Sequence, residues 1–158
     1  MPTKKQRLAQ LQGNWTASEI SISYKAGAKS ELPITFIEDA YPLILSRWDK
    51  DLMNLQEQAM AFFFNGRNKV IGYRVMCTGS MESCVFDIRL LASLALHSLA
   101  TFVILAHNHP SGILKASFND IRTTSQIKKA LKLIDVKLMD HLIISETGWL
   151  SMKAEGLL

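Results

Sequence analysis

The chain has 158 residues, 48% of them hydrophobic and 20% charged, with a formal net charge of +4. That is enough chain for one domain with a true core, and the balance of apolar to charged residues excludes a disordered segment. The basic excess lies at Lys4, Lys5 and Arg7 and between Arg122 and Lys137, a mild bias that reads as a solvated face rather than as a nucleic-acid-binding surface. Residues 1–17 form a polar, basic arm or short helix without the apolar stretch of a signal peptide. Ile20 to Tyr24 alternates with the period of a half-buried strand, and Lys25 to Pro33 is a loop rich in charge. Thr35 and Glu38 have the spacing of a capping box, ahead of Ile37, Ala40, Ile44, Leu45 and Trp48 at helical intervals; Pro42 should kink this helix or mark its first turn.

Ala59 to Phe64 and Val70 to Val75 flank Asn65-Gly66, so the segment 58–77 is read as a β-hairpin. Leu90, Leu91, Leu94, Ala95, Ser98 and Leu99 mark one face of a helix, and Phe102 to Leu105 is the continuous apolar run of a central strand. Ile121, Thr124, Ile127, Ala130, Leu131 and Ile134 form a second helical stripe. Val136 to Ile144 returns to strand character, Glu146-Thr147-Gly148 turns, and Trp149 to Met152 adds a last short strand. Strands and helices interleave, so the expected α/β architecture is one mixed sheet with helices packed on it. The two cysteines, Cys77 and Cys84, make neither a C-x-x-C pair nor a secreted framework, so reduced thiols in a cytoplasmic protein are expected. No apolar stretch is long and charge-free enough to span a bilayer.

Chemistry concentrates between residues 106 and 120. His107 and His109 leave the end of the central strand, and alternate side chains on an extended backbone point the same way. Asp120 lies where the next helix begins, a position favourable to a carboxylate. Two imidazoles and a carboxylate are a three-ligand set with a fourth position open, the composition of catalytic rather than structural zinc, and neither cysteine is near in sequence to close it. Glu57, directly ahead of the hairpin, is the candidate general base, and Ser117 the candidate hydrogen-bond donor to a developing oxyanion. Ser117-x-x-Asp120 is also an ordinary capping box, and the two roles are compatible. His97 reads as a structural or surface residue. His141 reads as a satisfied structural histidine, with a supporting place behind a metal ligand as the alternative. Trp15, Trp48 and Trp149 read as core fillers, and the H-x-E and P-C-x-x-C elements of zinc deaminases are absent.

The spacing His107-x-His109-x7-Ser117-x2-Asp120, with Glu57 upstream, resembles the JAMM (MPN+) metalloprotease signature. AHNHPSG at 106–112, NGRNKVIG at 65–72, the Thr78-Gly79 turn, Arg89, the run Asp140 to Ile144, and Ser151, Glu155 and Gly156 resemble the blocks of the bacterial RadC family, over residues 18–158. One block departs: Phe86-Asp87-Ile88-Arg89 lacks the proline usual before that arginine. The resemblance implies a cytidine-deaminase-like JAB/MPN fold, a single mixed β-sheet sandwiched by helices. It implies one Zn2+ at His107, His109 and Asp120, with Glu57 as general base and Ser117 supporting the transition state. It further implies cleavage of a peptide or isopeptide bond in a peptide or protein substrate, and a DNA-repair association. The helix-hairpin-helix region common ahead of this domain in RadC proteins is not expected here, which makes nucleic acid a weaker partner. A non-catalytic interaction or repair-accessory module is the alternative, and a homo-oligomer is left open.

Overall fold

Gln58–Phe64 (β1) and Phe102–Asn108 (β3) are the two strands with every residue buried. Both read as near-continuous apolar runs because both sheet faces are covered. The computed structural model describes residues 1–6, 34–79 and 86–158. Within them β1 and β3 stand inside a five-stranded sheet that also contains Val70–Thr78 (β2), Lys137–Ser145 (β4) and Gly148–Ser151 (β5), in the order β2-β1-β3-β4-β5. The β3–β4 pair is parallel, and β1–β2, β1–β3 and β4–β5 are antiparallel. The sheet is therefore mixed, as expected, and β3 is its central strand.

Alternation along the inner strands sends residues to two separate cores. Met60, Phe62 and Phe64 of β1, Ile104 and Ala106 of β3, and Leu142 and Ile144 of β4 pack with Ala40 and Ile44 of the helix Ile37–Leu45 (α1). On the other face, Ala61, Phe63, Val103, Leu105 and Leu138 meet Leu91 and Ala95 of Ile88–His97 (α2), and Ile127 and Leu131 of Phe118–Leu133 (α3). Helices thus cover both faces of one sheet. Trp48 is buried in the first core, as a filler.

Local chemistry sets the element ends. The first helix is not capped by Thr35 and Glu38: its N-cap is Phe36, and the Asp39 carboxylate accepts from the backbone N–H of Thr35 (3.2 Å) and Phe36 (3.0 Å). Asp39 stands three residues beyond the N-cap, where a carboxylate can reach back, and Glu38 is one residue short of it. Pro42 lies inside the helix, past the first turn. The hairpin turn occupies five residues rather than two. Asn65 accepts through Oδ1 from Arg67 N–H and Lys69 N–H, and Asn68 takes the left-handed conformation (φ 58°). Asp87 caps α2 by accepting from Arg89 N–H and Leu90 N–H, so that block starts its helix without a proline. Leu99 (φ 53°) and Asp135 (φ 56°) end α2 and α3 in left-handed positions, with Ala100 N–H donating to Ala95 O and Val136 N–H to Leu131 O. These helix stops turn the chain directly into β3 and β4. Leu90 and Leu99 are exposed, so the apolar face of α2 is narrower than its sequence implies.

Cys77 is disulfide-bonded, which corrects the expectation of reduced thiols and removes the cysteine argument for a cytoplasmic protein. Spacing had excluded a C-x-x-C motif, not a bridge; Cys84 lies outside the described residues. The strand expected over Ile20 to Tyr24, the loop after it, Trp15 and most of the basic arm also lie outside them. Among the described residues no helix is long and apolar enough to cross a membrane.

Candidate metal centre

The parallel pair β3–β4, joined through α3, forms a crossover unit, and the site stands where β3 ends and α3 begins. The carboxyl end of a strand is the usual place for a ligand site in such sheets. His107 is buried on the last turn of pleat, on the face that carries Leu105, and His109 follows the strand. The two Nε2 atoms are 3.0 Å apart. Asp120 arrives from the first turn of α3, its Oδ1 3.4 Å from His107 Nε2 and its Oδ2 3.6 Å from His109 Nε2.

Short-range geometry explains how residues ten and more apart converge. His109, Pro110, Ser111 and Gly112 form a turn closed by Gly112 N–H donating to His109 O (2.9 Å), and Gly112 adopts φ 75°, a conformation suited to glycine. The turn brings the Ile113 carbonyl to His109, whose Nδ1–H donates to it (2.8 Å). At the helix start the capping box is present in full. Asp120 N–H donates to Ser117 Oγ (3.1 Å) and Ser117 N–H donates to Asp120 Oδ2 (2.7 Å). The cap holds the carboxylate in one orientation while the rest of it faces the imidazoles.

This donor set fits a cation. With Nδ1–H of His109 committed to Ile113, the neutral ring presents a lone pair at Nε2 to the Asp120 carboxylate, and acceptors that converge without a donor repel one another unless a proton or metal joins them. The separations also fit. A tetrahedral zinc site with arms of ~2.0–2.1 Å has ligand-to-ligand edges of roughly 3.3–3.4 Å, close to the distances found here. His107, His109 and Asp120 can hold a metal ion, each offering one ligand atom and all lying within 4.8 Å of one another.

Electrostatics follow from the same arrangement. Burial pushes Asp120 upward, but the hydrogen bonds from His107 and His109, the charge of His107 and the Ser117 cap outweigh it and hold the carboxyl far below the usual range. His109 is raised, first by its bond to Asp120, against the opposing effect of burial. Glu57 is half-buried beside the cluster. Its carboxyl is raised chiefly by burial, with Asp120 adding to the effect and His107 and His109 pulling it down.

Pairing places Glu57 there. Ala59 of β1 stands opposite His107, so continuing the antiparallel register two residues outward puts Glu57 across from His109 on the same face. The small Ala59 leaves room between them. Asn108, the residue between the two histidines, points to the other face and fastens the segment that carries Glu57. Its Oδ1 accepts from Gln58 N–H (2.7 Å), and its Nδ2 donates to Met53 O (2.6 Å) and Gln56 O (2.8 Å). Gly79 N–H donates to Glu57 O (2.8 Å) from the end of β2. The structural part for Asn108 was not anticipated; the amide between two histidines was the available signal.

His141 is both a satisfied buried histidine and the neighbour of a site residue. It stands beside Leu105 on β4, its Nε2 2.8 Å from His107 Nδ1 and its Nδ1 2.7 Å from Thr124 Oγ1, with Phe86 edge-on to the ring. Burial holds its pKa well below the ordinary value, so the ring is neutral. His97 is exposed on α2 and, among the described residues, bonds within its own helix, Nδ1–H donating to Ser93 O.

Comparison with known proteins bears on the family of the chain. The model of the RadC-like JAB domain matches residues 34–157. The chain is 43% identical to a UPF0758 protein of Flavobacterium johnsoniae over 101 residues, covering 64% of this chain and 44% of that one. It is 38% identical to a UPF0758 protein of Porphyromonas gingivalis over 104 residues (65% and 46%) and 33% identical to one of Staphylococcus carnosus over 128 residues (80% and 55%). It therefore spans about half the length of the curated relatives it matches. A mixed five-stranded sheet between helices, a cluster fit for a metal at the end of its central strand, and a family match over most of the chain lead to one conclusion: this chain belongs to the RadC-like JAB domain family.

Proposed function

We propose that the chain is a zinc-dependent hydrolase of the JAMM type, a metallopeptidase acting on a peptide or isopeptide bond in a peptide or protein substrate. The observation that carries the reading is the convergence of His107, His109 and Asp120, with the half-buried Glu57 beside them. His107, His109 and Asp120 would hold the zinc ion, which when bound would supply Lewis acidity and lower the pKa of a water to about 7. Glu57 takes the proton from the attacking water and returns it to the departing nitrogen. Burial raises its pKa above the ordinary carboxylate value, the direction that makes it a better proton acceptor. Ser117 Oγ uses a lone pair to cap α3, and its hydroxyl proton donates to the substrate oxygen as charge builds there. Gly112, in the left-handed region, lets the turn after His109 close tightly beside the site.

The test compares zinc content and turnover, on an unbiased peptide library, of wild type, Glu57→Gln and His107→Ala. The glutamine variant should keep one zinc per chain and lose cleavage, and His107→Ala should lose both. Equal turnover in all three removes the hydrolase reading, and zinc binding without cleavage in wild type favours an interaction module. A repair-accessory role calls for DNA binding that weakens steeply with salt.

A further inference from the structure

The polarity of one buried hydrogen-bond chain can be read without seeing a proton. Thr124 Oγ1 lies 2.6 Å from the backbone carbonyl of Asp120, one helical turn back. A carbonyl cannot donate, so the hydroxyl proton is committed there. The same oxygen lies 2.7 Å from His141 Nδ1 and has only lone pairs left to offer, so His141 donates through Nδ1–H. Met152 Sδ, 3.6 Å from the hydroxyl, is the weaker acceptor. A neutral imidazole protonated on Nδ1 is an acceptor at Nε2. That Nε2 lies 2.8 Å from His107 Nδ1, which must then donate. Each step has one permitted direction, and in a neutral His107 ring it leaves the Nε2 lone pair aimed at His109 and Asp120.

We propose that His141 and Thr124 are positioning residues for the metal centre, holding His107 in the Nδ1–H tautomer so that its Nε2 is the ligand atom. The inference rests on the proposed metal-binding reading and adds to it the device that prepares the ligand. His141 and Thr124 are buried beside Leu105 and Ile127, where an apolar pair would pack without the penalty of desolvating polar groups. The side-chain polar atoms of both residues are nonetheless paired. The chain also closes on the site itself. It begins at the carbonyl of Asp120, passes from α3 to β4 and from β4 to β3, and returns through His107 to the Asp120 carboxylate. Two of the three ligands are thereby held to one spacing by a route independent of the metal. Opposite tautomers would put an N–H at His107 Nε2, where it would exclude the ion.

The experiment measures zinc affinity at neutral pH, by competition with a chromogenic chelator, for wild type, Thr124→Val, Thr124→Ser, His141→Leu and His141→Gln. The protonated nitrogen of His107 is identified in the metal-free proteins by 15N NMR. Serine keeps the hydroxyl, and the glutamine oxygen can accept where Nε2 does. Thr124→Val and His141→Leu should therefore weaken zinc about 10–100-fold, and Thr124→Ser and His141→Gln should bind close to wild type. Wild-type His107 should carry its proton on Nδ1, and Thr124→Val should shift it toward Nε2. A folded Thr124→Val with wild-type zinc affinity, or a wild-type proton on His107 Nε2, overturns the positioning role alone. Wild type that takes up no zinc overturns the metal-binding reading and this inference together. The tautomer of wild type is decisive even if the leucine variant does not fold.

Discussion

Replacing Asn108 with alanine tests whether the residue between the histidines builds the site rather than fills space. The side chain is fully buried and makes three hydrogen bonds to backbone atoms about fifty residues away: one accepted from Gln58 N–H and two donated to Met53 O and Gln56 O. Alanine leaves one N–H and two carbonyls without that partner. At about 1–3 kcal/mol for each buried group left unsatisfied, and with some regained by water, the expected loss is about 3 kcal/mol. Against a total stability of about 5–15 kcal/mol that is a large fraction, readable as a lower urea midpoint in the metal-free protein. Asn108→Asp should be no milder, because a carboxylate keeps the bond to Gln58 N–H but faces two carbonyl oxygens with no proton to give. The same bonds flank Glu57 on both sides in sequence. If Glu57 is the base, a shift of about 1 Å in its segment should lower kcat about 100-fold while zinc stoichiometry stays at one per chain. A loss below about 1 kcal/mol would refute the reasoning, since it would mean that the three bonds hold nothing that water cannot replace.

Glu57→Gln should bind zinc as wild type does and retain at most about 1% of turnover, in line with the 100-fold or larger contribution of a general base; retention of more than half would assign the proton transfer elsewhere. Zinc affinity should fall as pH drops through the raised pKa of His109, above the ordinary value near 6.5, because the metal must displace the proton that His109 shares with Asp120. Asp120 is held so low that it stays ionised throughout this window, so a midpoint near pH 4 in a chelator-competition titration would contradict the assignment. Ala59→Leu should overpack the space between His107 and the Glu57 segment, lowering stability by about 1–3 kcal/mol in urea denaturation and weakening zinc; a neutral outcome would show that the cross-strand gap is not tight.

The sequence by itself determined what depends on near neighbours. The apolar run of β3, the stripe of α3, the hairpin and the Ser117–Asp120 cap all follow from periodicity and short-range hydrogen bonding, and each is found. So is the common direction of His107 and His109, set by the pleat of one strand end. Where the local signal was ambiguous the outcome differed: Asp39, not Glu38, closes the first helix, and Leu90 and Leu99 are exposed despite falling on an apolar stripe. Its position directly ahead of the hairpin made Glu57 a candidate, but nothing within its own segment says which strand it will face. That is decided by the β1–β3 register, which sets Ala59 against His107. The burial of His141 behind His107, its link to Thr124, and the fastening of Glu57's segment by Asn108 depend on three strands and a helix meeting at one point. Alternation and helical spacing say which way a side chain leaves its own backbone; only the packed sheet determines what stands opposite it, and hydrogen-bond polarity at the metal centre exists only after that encounter.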